Sequence, residues 1–260
     1  MRKTDDIAVV NKCHWEKMVK EGCGFTRPWL DMDSEIINQY VKGCLNPVPE
    51  PLLAMYPSSV LAEVRDKKVL CLAAGGGQQS VVFSLLGGRV TVVDLSQGQL
   101  RADQKAATHY GYEIDITQGD MRDLSCVGDR TFDLVWGTGM SYVPDAQQVY
   151  SEVVRVLRTG GKYRVDFTNP AIEFVDCDDW DGKGYRITRP YTERIRRPRD
   201  GPIEFRHTLS SIFNGLLAVG LCIEHVEEEP CCHQHPQAPP GSWGHWRTYT
   251  PGFAIVARKE

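Results

Sequence analysis

Three consecutive glycines, Gly75, Gly76 and Gly77, follow an apolar run in the stretch "CLAAGGGQQS". Glycine loses more backbone entropy on folding than any other residue, so a triplet between a strand-like and a helix-like segment means that something must approach the backbone closely. Loops of this kind after a first strand hold nucleotide phosphates at a helix N-terminus. Two phosphate motifs fail here. Residues 75 to 80 read G-G-G-Q-Q-S, which lacks the third glycine of the dinucleotide fingerprint, and Gln78 and Gln79 stand where an ATP-binding loop needs Lys followed by Ser or Thr. Asp94 ends a second apolar strand, seventeen positions after Gly77, where a carboxylate can accept both hydroxyls of a ribose. Asp120 and Met121, in "QGDMRDLS", follow a third strand and can address an adenine edge. Each has a plainer reading: a tight turn for the glycines, a helix-proximal cap for Asp94, a turn residue for Asp120. Their joint spacing favours a nucleoside held without a diphosphate.

The elements that must position these residues alternate from Lys67 onward between apolar runs and helix-length amphipathic segments, the pattern of an α/β protein with a parallel sheet. Strands fit "KKVLCL", "RVTVVD", "EIDITQ", "TFDLVWG" and "KYRVDF". Helices fit Gln78 to Leu86, the segment from Ser96 as N-cap to Gly111 as terminator, and "DAQQVYSEVVRVLR" with Gly160 and Gly161 as its stop. Near the C-terminus "HTLSSIFNGLLAVG" reads as a helix, and "LCIEHVEE" and "GFAIVARK" as two strands close enough to pair antiparallel. Residues 1 to about 60 read as helices with a Pro-broken linker. Stretches at about 174 to 206 and 230 to 250 read as insertions or lids.

A chain of 260 residues, 42% hydrophobic and 25% charged, can build one sizeable core. No run approaches the ~18 to 20 apolar residues of a membrane span, and "MRKTDDIAVVNK" lacks a signal-peptide h-region, so a cytoplasmic location is expected. Nine scattered cysteines fit reduced thiols better than a disulfide framework. A net charge of −4 argues against nucleic acid as a partner.

In order and spacing, "KKVLCLAAGGGQ", "VTVVDLSQGQL", "ITQGDMRDL", "TFDLVWGTGMSYVPD" and "VVRVLRTGGKYRVDF" resemble the successive motifs of class I S-adenosylmethionine-dependent methyltransferases. The N-terminal "NKCHWEKMVKEGCGFTRPW" and the C-terminal helix and strand resemble a bacterial branch of small-molecule methyltransferases. The resemblance implies a seven-stranded, mostly parallel sheet with an antiparallel last strand, helices on both faces and an N-terminal helical cap. Residues 61 to 260 would form the methyltransferase domain beneath a cap and linker of residues 1 to 60. It implies S-adenosylmethionine as cofactor, S-adenosylhomocysteine as product, and a cofactor site drawn from Trp15, Ala73, Ala74, Gly75, Gly76, Gly77, Gln78, Asp94, Leu95, Gln99, Asp120, Met121, Trp136 and Gly137. Two positions depart from the family: Cys71 replaces the usual acidic residue of the first strand, and Ala73 the first loop glycine. Gln78, Gln79, a main-chain carbonyl near Trp136 or Gly137, or the N-terminal segment would have to compensate.

Methyl transfer from a sulfonium requires alignment, exclusion of water and sometimes a proton acceptor, so no fixed triad is expected. Candidate catalytic residues are Tyr142, after the fourth strand, His14, beside Trp15 in the segment expected to close over the cofactor, and His207, which could equally cap the last helix. A small-molecule acceptor is expected, taken as an O, N or S nucleophile by a monomer or homodimer. His235, Trp243, His245 and Trp246 could line an aromatic acceptor pocket or simply pack a surface loop. Cys231, Cys232, His233 and His235 offer ligand types without a complete zinc spacing, so no metal is expected. The arginines at 186, 189, 194, 196, 197 and 199 read as a solvated, self-neutralised loop more readily than as an anion site. The rival readings are an NAD(P)-dependent oxidoreductase and a non-catalytic S-adenosylmethionine-binding sensor or scaffold.

Overall fold

The computed structural model describes residues 6–230 and 237–260. Its main sheet contains β1 (Lys68–Leu72), β2 (Arg89–Asp94), β3 (Asp115–Gln118), β4 (Phe132–Gly137), β5 (Leu157–Phe167), β8 (Leu221–Glu228) and β9 (Phe253–Lys259), and β6 (Ile195–Arg196) pairs with β7 (Glu204–Phe205) in a separate hairpin. Strand order is β3-β2-β1-β4-β5-β9-β8. All pairs from β3 to β5 are parallel, while β9 runs antiparallel to both of its neighbours. The order reverses beside β1, which places a ligand crevice at the carboxyl ends of β1, β2 and β4.

Nine helices flank the sheet among the described residues: α1 (Asp6–Glu21), α2 (Ser34–Val41), α3 (Glu50–Leu53), α4 (Ser58–Leu61), α5 (Gln79–Leu85), α6 (Gln97–Tyr110), α7 (Ala146–Val156), α8 (Leu209–Ala218) and α9 (Trp243–Tyr249). Alternate strand side chains point to opposite faces. Leu70, Leu72 and Val135 therefore join Tyr150, Val153, Ile212 and Leu216 of α7 and α8 in one core, while Val69, Cys71 and Trp136 join Phe83 and Leu100 of α5 and α6 in the other. Ile37, Leu52, Met55 and Leu61 complete this second core, so the Pro-broken N-terminal segment packs against the sheet layer.

Ser96 caps α6 by accepting from the Gln99 amide, and Gly111 ends it at φ +73°, as the sequence predicts. Gly160 and Gly161 behave differently from the expectation. Helix α7 stops at Val156, and β5 begins at once with Leu157 in extended conformation. The glycine pair lies inside β5, where register with β4 shifts between Phe132 and Leu134. A β-carbon on Gly161 would come 2.9 Å from the Arg158 carbonyl oxygen, so these glycines serve a strand irregularity and not a helix stop.

Candidate active site

Ala73 leaves β1 at φ +50°, held by its N–H to the Val93 carbonyl at 2.9 Å and by the Thr138 hydroxyl donating to its own carbonyl at 2.5 Å. Ala74 behind it is buried. The three glycine amides that follow all donate to carboxylates. Gly75 N–H reaches Asp94 Oδ2 at 3.1 Å, and Gly76 and Gly77 reach the two oxygens of Asp103 at 3.0 Å each. The Ser80 hydroxyl adds a third donor to Asp103 at 2.5 Å. What approaches this backbone closely is the protein itself. A β-carbon on Gly75 would sit 2.8 Å from Gln99 Cβ and 2.9 Å from Asp94 Oδ2, and one on Gly77 would sit 2.7 Å from Pro28 Cβ. With every loop amide spent on an acid and a buried aspartate behind it, the loop is a poor host for a diphosphate.

Burial raises both acids to about 6. Asp94 Oδ1 also accepts from the Ser96 amide at 2.8 Å, leaving lone pairs on both oxygens. Nearby, Gln99 Oε1 is buried without a partner, 3.0 Å from where a Gly76 β-carbon would lie. The Leu95 carbonyl takes the Gln118 amide at 2.8 Å. Met121 is buried with its Cε 3.8 Å from the β-carbon position of Gly139, at the carboxyl end of β4. The Asp120 carboxylate is gripped by Arg122 at 2.6 Å. Trp136 turns its fully buried side chain to the second core, under the Arg164 guanidinium at 4.0 Å. Gly137 faces the Tyr163 ring, which leaves no room for a β-carbon.

The N-terminal segment forms the roof. Gln78 donates to the carbonyls of Gly24 and Arg27 at 2.9 and 3.0 Å, and the Trp29 amide donates to the Gly77 carbonyl at 2.9 Å. From α1, Glu16 accepts from the Ser96 hydroxyl and the Gly98 amide at 3.0 Å each, at the N-terminus of α6. Trp15 meets Tyr142 edge-to-face at 5.8 Å and His14 at 5.7 Å. Burial lowers the pKa of His14, whose Nδ1 is buried without a partner. Asn11, fully buried, donates to the carbonyls of Tyr142 and Ile203 and accepts from the Ile203 amide at 2.7 Å.

A cavity of about 40 Å³ lies at the carboxyl ends of β4 and β5, lined by residues that include Gly139, Ser141, Asp166, Thr168, Glu173 and His207. His207 Nε2 lies 3.0 Å from the Met140 carbonyl, which fixes the proton on that nitrogen, and burial lowers its pKa. Thr208, not His207, caps α8. Tyr142 titrates higher than an ordinary tyrosine because of burial. A groove of about 620 Å³ outside the cavity, between α7, α8 and the β6–β7 hairpin, shares His207 with it.

The two insertions pack on one another. Trp180, Tyr185, His245 and Tyr249 are in mutual ring contact, Tyr185 Oη lies 2.9 Å from His245 Nδ1, and Trp246 donates to the Val175 carbonyl at 3.0 Å. Trp243 meets Phe25 edge-to-face at 5.5 Å, next to the glycine loop. These rings tie the insertions to the roof and do not line the cavity. The arginine stretch neutralises itself: Arg186 pairs with Asp181, Arg189 with Glu193, and Arg196 with Asp176 and Glu204. Cys231, Cys232, His233 and His235 lie outside the described residues, and among the described ones no cluster of metal-ligating side chains occurs. Seven described cysteines are free thiols.

A family model described as a methyltransferase domain matches residues 69–161. The uncharacterized methyltransferase YbaJ of Bacillus subtilis is 29% identical over 231 residues, 84% of this chain and 89% of that protein. The chain has the class I methyltransferase fold. Among solved structures the chain shares this fold with geranyl diphosphate C-methyltransferase from Streptomyces coelicolor, bound to Mg2+, geranyl diphosphate and S-adenosyl-L-homocysteine, at TM-score 0.66 and 14% identity over 99% of both chains. It also shares it with 1,6-didemethyltoxoflavin-N1-methyltransferase from Burkholderia thailandensis, bound to that compound and S-adenosylhomocysteine, at TM-score 0.61 and 17% identity over 100% of this chain and 92% of that one.

The residues present fit S-adenosylmethionine, whose product S-adenosylhomocysteine is bound in both of those structures. Asp94 keeps free lone pairs for ribose hydroxyls, Gln99 Oε1 is an orphaned buried acceptor, and the left-handed Ala73 turn opens the main chain beside Gly139. Asp103 is the residue that sequence reasoning missed. Cys71 in β1 is fully buried, its thiol pushed up by burial and by the charge of Asp103, so the loop takes its carboxylate from α6 and not from the first strand. The signal was present: Asp103 occupies the apolar stripe of α6 with Leu100, Ala106 and Ala107. Gln78, expected to compensate at the cofactor, is committed to the roof.

Proposed function

We propose that this methyltransferase moves the methyl group of S-adenosylmethionine to an O, N or S nucleophile of a small metabolite, within a chamber closed by α1. The observation that carries this reading is the roof: Trp15 on Tyr142, Asn11 on Ile203 and Glu16 on α6 cover the carboxyl ends of the strands and leave a cavity of about 40 Å³. The cofactor supplies an activated methyl on a positively charged sulfur.

In this reading Asp94 holds the ribose, Gln99 and Met121 bound the adenosine side, and main chain from Ala73 to Gly75 and around Gly137 receives the amino-acid end. Trp15 and Tyr142 exclude water at the reacting end, with the Tyr142 hydroxyl there for the acceptor. His14 and His207, both kept neutral by burial, are the candidate proton acceptors. The committed loop amides disfavour an NAD(P) enzyme. Calorimetry tests the reading: S-adenosylhomocysteine should bind saturably and NAD(P) should give no heat. The reverse result overturns it. A panel of amines, phenols and thiols, read by S-adenosylhomocysteine formation, then separates an enzyme from a sensor.

A further inference from the structure

Glu173 stands apart from the other charged groups around the acceptor cavity. It lines the cavity and is partly buried, yet it makes no hydrogen bond or ion pair among the described residues. Most of its neighbours are already bonded elsewhere, although Arg206 Nε is buried without a partner. Asp166 of β5, on the same wall, is paired with Arg164 at 2.6 Å. Arg196 of β6 is shared between Asp176 and Glu204 of β7, and Arg206 donates to the carbonyls of Pro190 and Glu193 at 2.7 and 3.1 Å while covering the Phe174 ring at 4.5 Å. His207 is held on the Met140 carbonyl. Gly139 links this cavity to the cofactor side, because its β-carbon position lies 3.8 Å from both Ala73 Cβ and Met121 Cε.

We propose that the methyl acceptor carries a cationic amine and that Glu173 receives this nitrogen in the cavity. The inference rests on the reading of the protein as a small-molecule methyltransferase and adds the acceptor's chemical class. The cavity, at about 40 Å³, has room for an ammonium-sized group and leaves the body of the acceptor outside it. Its wall carries a second carboxylate and the hydroxyls of Ser141 and Thr168, all able to accept N–H bonds. An anionic group would meet two carboxylates, and no Lys or Arg lines the cavity. Burial, with Glu204 nearby, pushes Glu173 well above the usual carboxylate range. A cation entering the cavity favours the ionised form, so binding releases a proton from Glu173 to the buffer.

The test uses the full chain with S-adenosylhomocysteine, and ethylamine, ethanol and propionate as probes, titrated by ligand-observed NMR. Ethylamine should bind the wild type about tenfold or more tightly than ethanol, the scale of a charged hydrogen bond, and propionate should not bind. In Glu173→Gln the preference for ethylamine should shrink to about twofold or less while ethanol is unaffected. Calorimetry in two buffers of different ionisation heat should show proton release in the wild type and none in the variant. Equal binding of ethylamine and ethanol by the wild type overturns the inference, whether or not the variant folds. So does a preference that survives in Glu173→Gln. Failure of S-adenosylhomocysteine to bind is read separately, and overturns the methyltransferase reading together with this one.

Discussion

On the β2 side of the site, Asp94, Ser96 and Gln99 lie within six positions of one another, and Gly75 reaches Asp94 directly. On the β5 side, Asn11, Tyr142, Glu173 and His207 come from four separate segments and meet only when the chain has folded. The first side is made of local turns, a helix start and main-chain donors. The second is made of side chains from α1, from the turn after β4, and from the segments that follow β5 and precede α8. A cofactor common to a fold can be held by the first kind of construction, and an acceptor particular to one protein by the second.

The sharpest way to break this contrast is to damage the cofactor side alone. Asp103→Ala removes the acceptor of two loop amides and the Ser80 hydroxyl, all buried, and should cost about 3 kcal/mol or more of stability in urea unfolding. A stable Asp103→Ala protein with normal S-adenosylhomocysteine affinity would show that the loop does not depend on α6. Asp94→Ala should cost ~1 to 3 kcal/mol of cofactor affinity by calorimetry, with the acceptor cavity intact. Unchanged affinity in the folded variant would remove the ribose assignment.

Acidity should pull stability and affinity apart. Asp94 and Asp103 sit at about 6 in the fold against ~3.9 for an unperturbed aspartate, so their ionisation opposes folding. Their stabilising contribution is complete below the unfolded value and is lost as pH rises through about 6. Protonation of Asp94 removes an acceptor for the ribose, so cofactor affinity should fall as pH drops through the same range. Parallel curves would contradict the placement of Asp94.

Smaller effects belong to the roof. Asn11→Ala should destabilise by about 1 to 2 kcal/mol and lower turnover more than cofactor affinity, measured by denaturation and by S-adenosylhomocysteine formation. Full binding and turnover after deletion of residues 1–20 would show that α1 is no lid. Tyr142→Phe should leave cofactor affinity within about twofold and slow turnover, because only the hydroxyl is lost while the ring on Trp15 remains.

The sequence pattern follows this division. The order of elements along the chain, the Ser96 cap and the Gly111 terminator are legible because each is set by periodicity or by partners a few positions away. Gly160 and Gly161 mislead because a glycine pair after a helix signals a stop just as it permits a strand irregularity. Trp136 is expected at the cofactor through its main-chain carbonyl, and the alternation of β4 turns its side chain to the opposite face beside Cys71. Asp103 is hidden for another reason: an acid in an apolar stripe states that a partner exists without naming it. Glu173 is illegible altogether, since its meaning depends on what segments distant in sequence place around it.

The Asn11 clasp gives the lid a clock. The Ile203 amide hydrogen is donated to Asn11 Oδ1, a residue 192 positions away, so it is shielded from water only while α1 is seated. Its exchange with deuterium measures how often the chamber opens, independently of any chemistry inside it. Slower exchange with S-adenosylhomocysteine bound would mean that the cofactor latches its own roof, and that product must wait for this one side chain to let go.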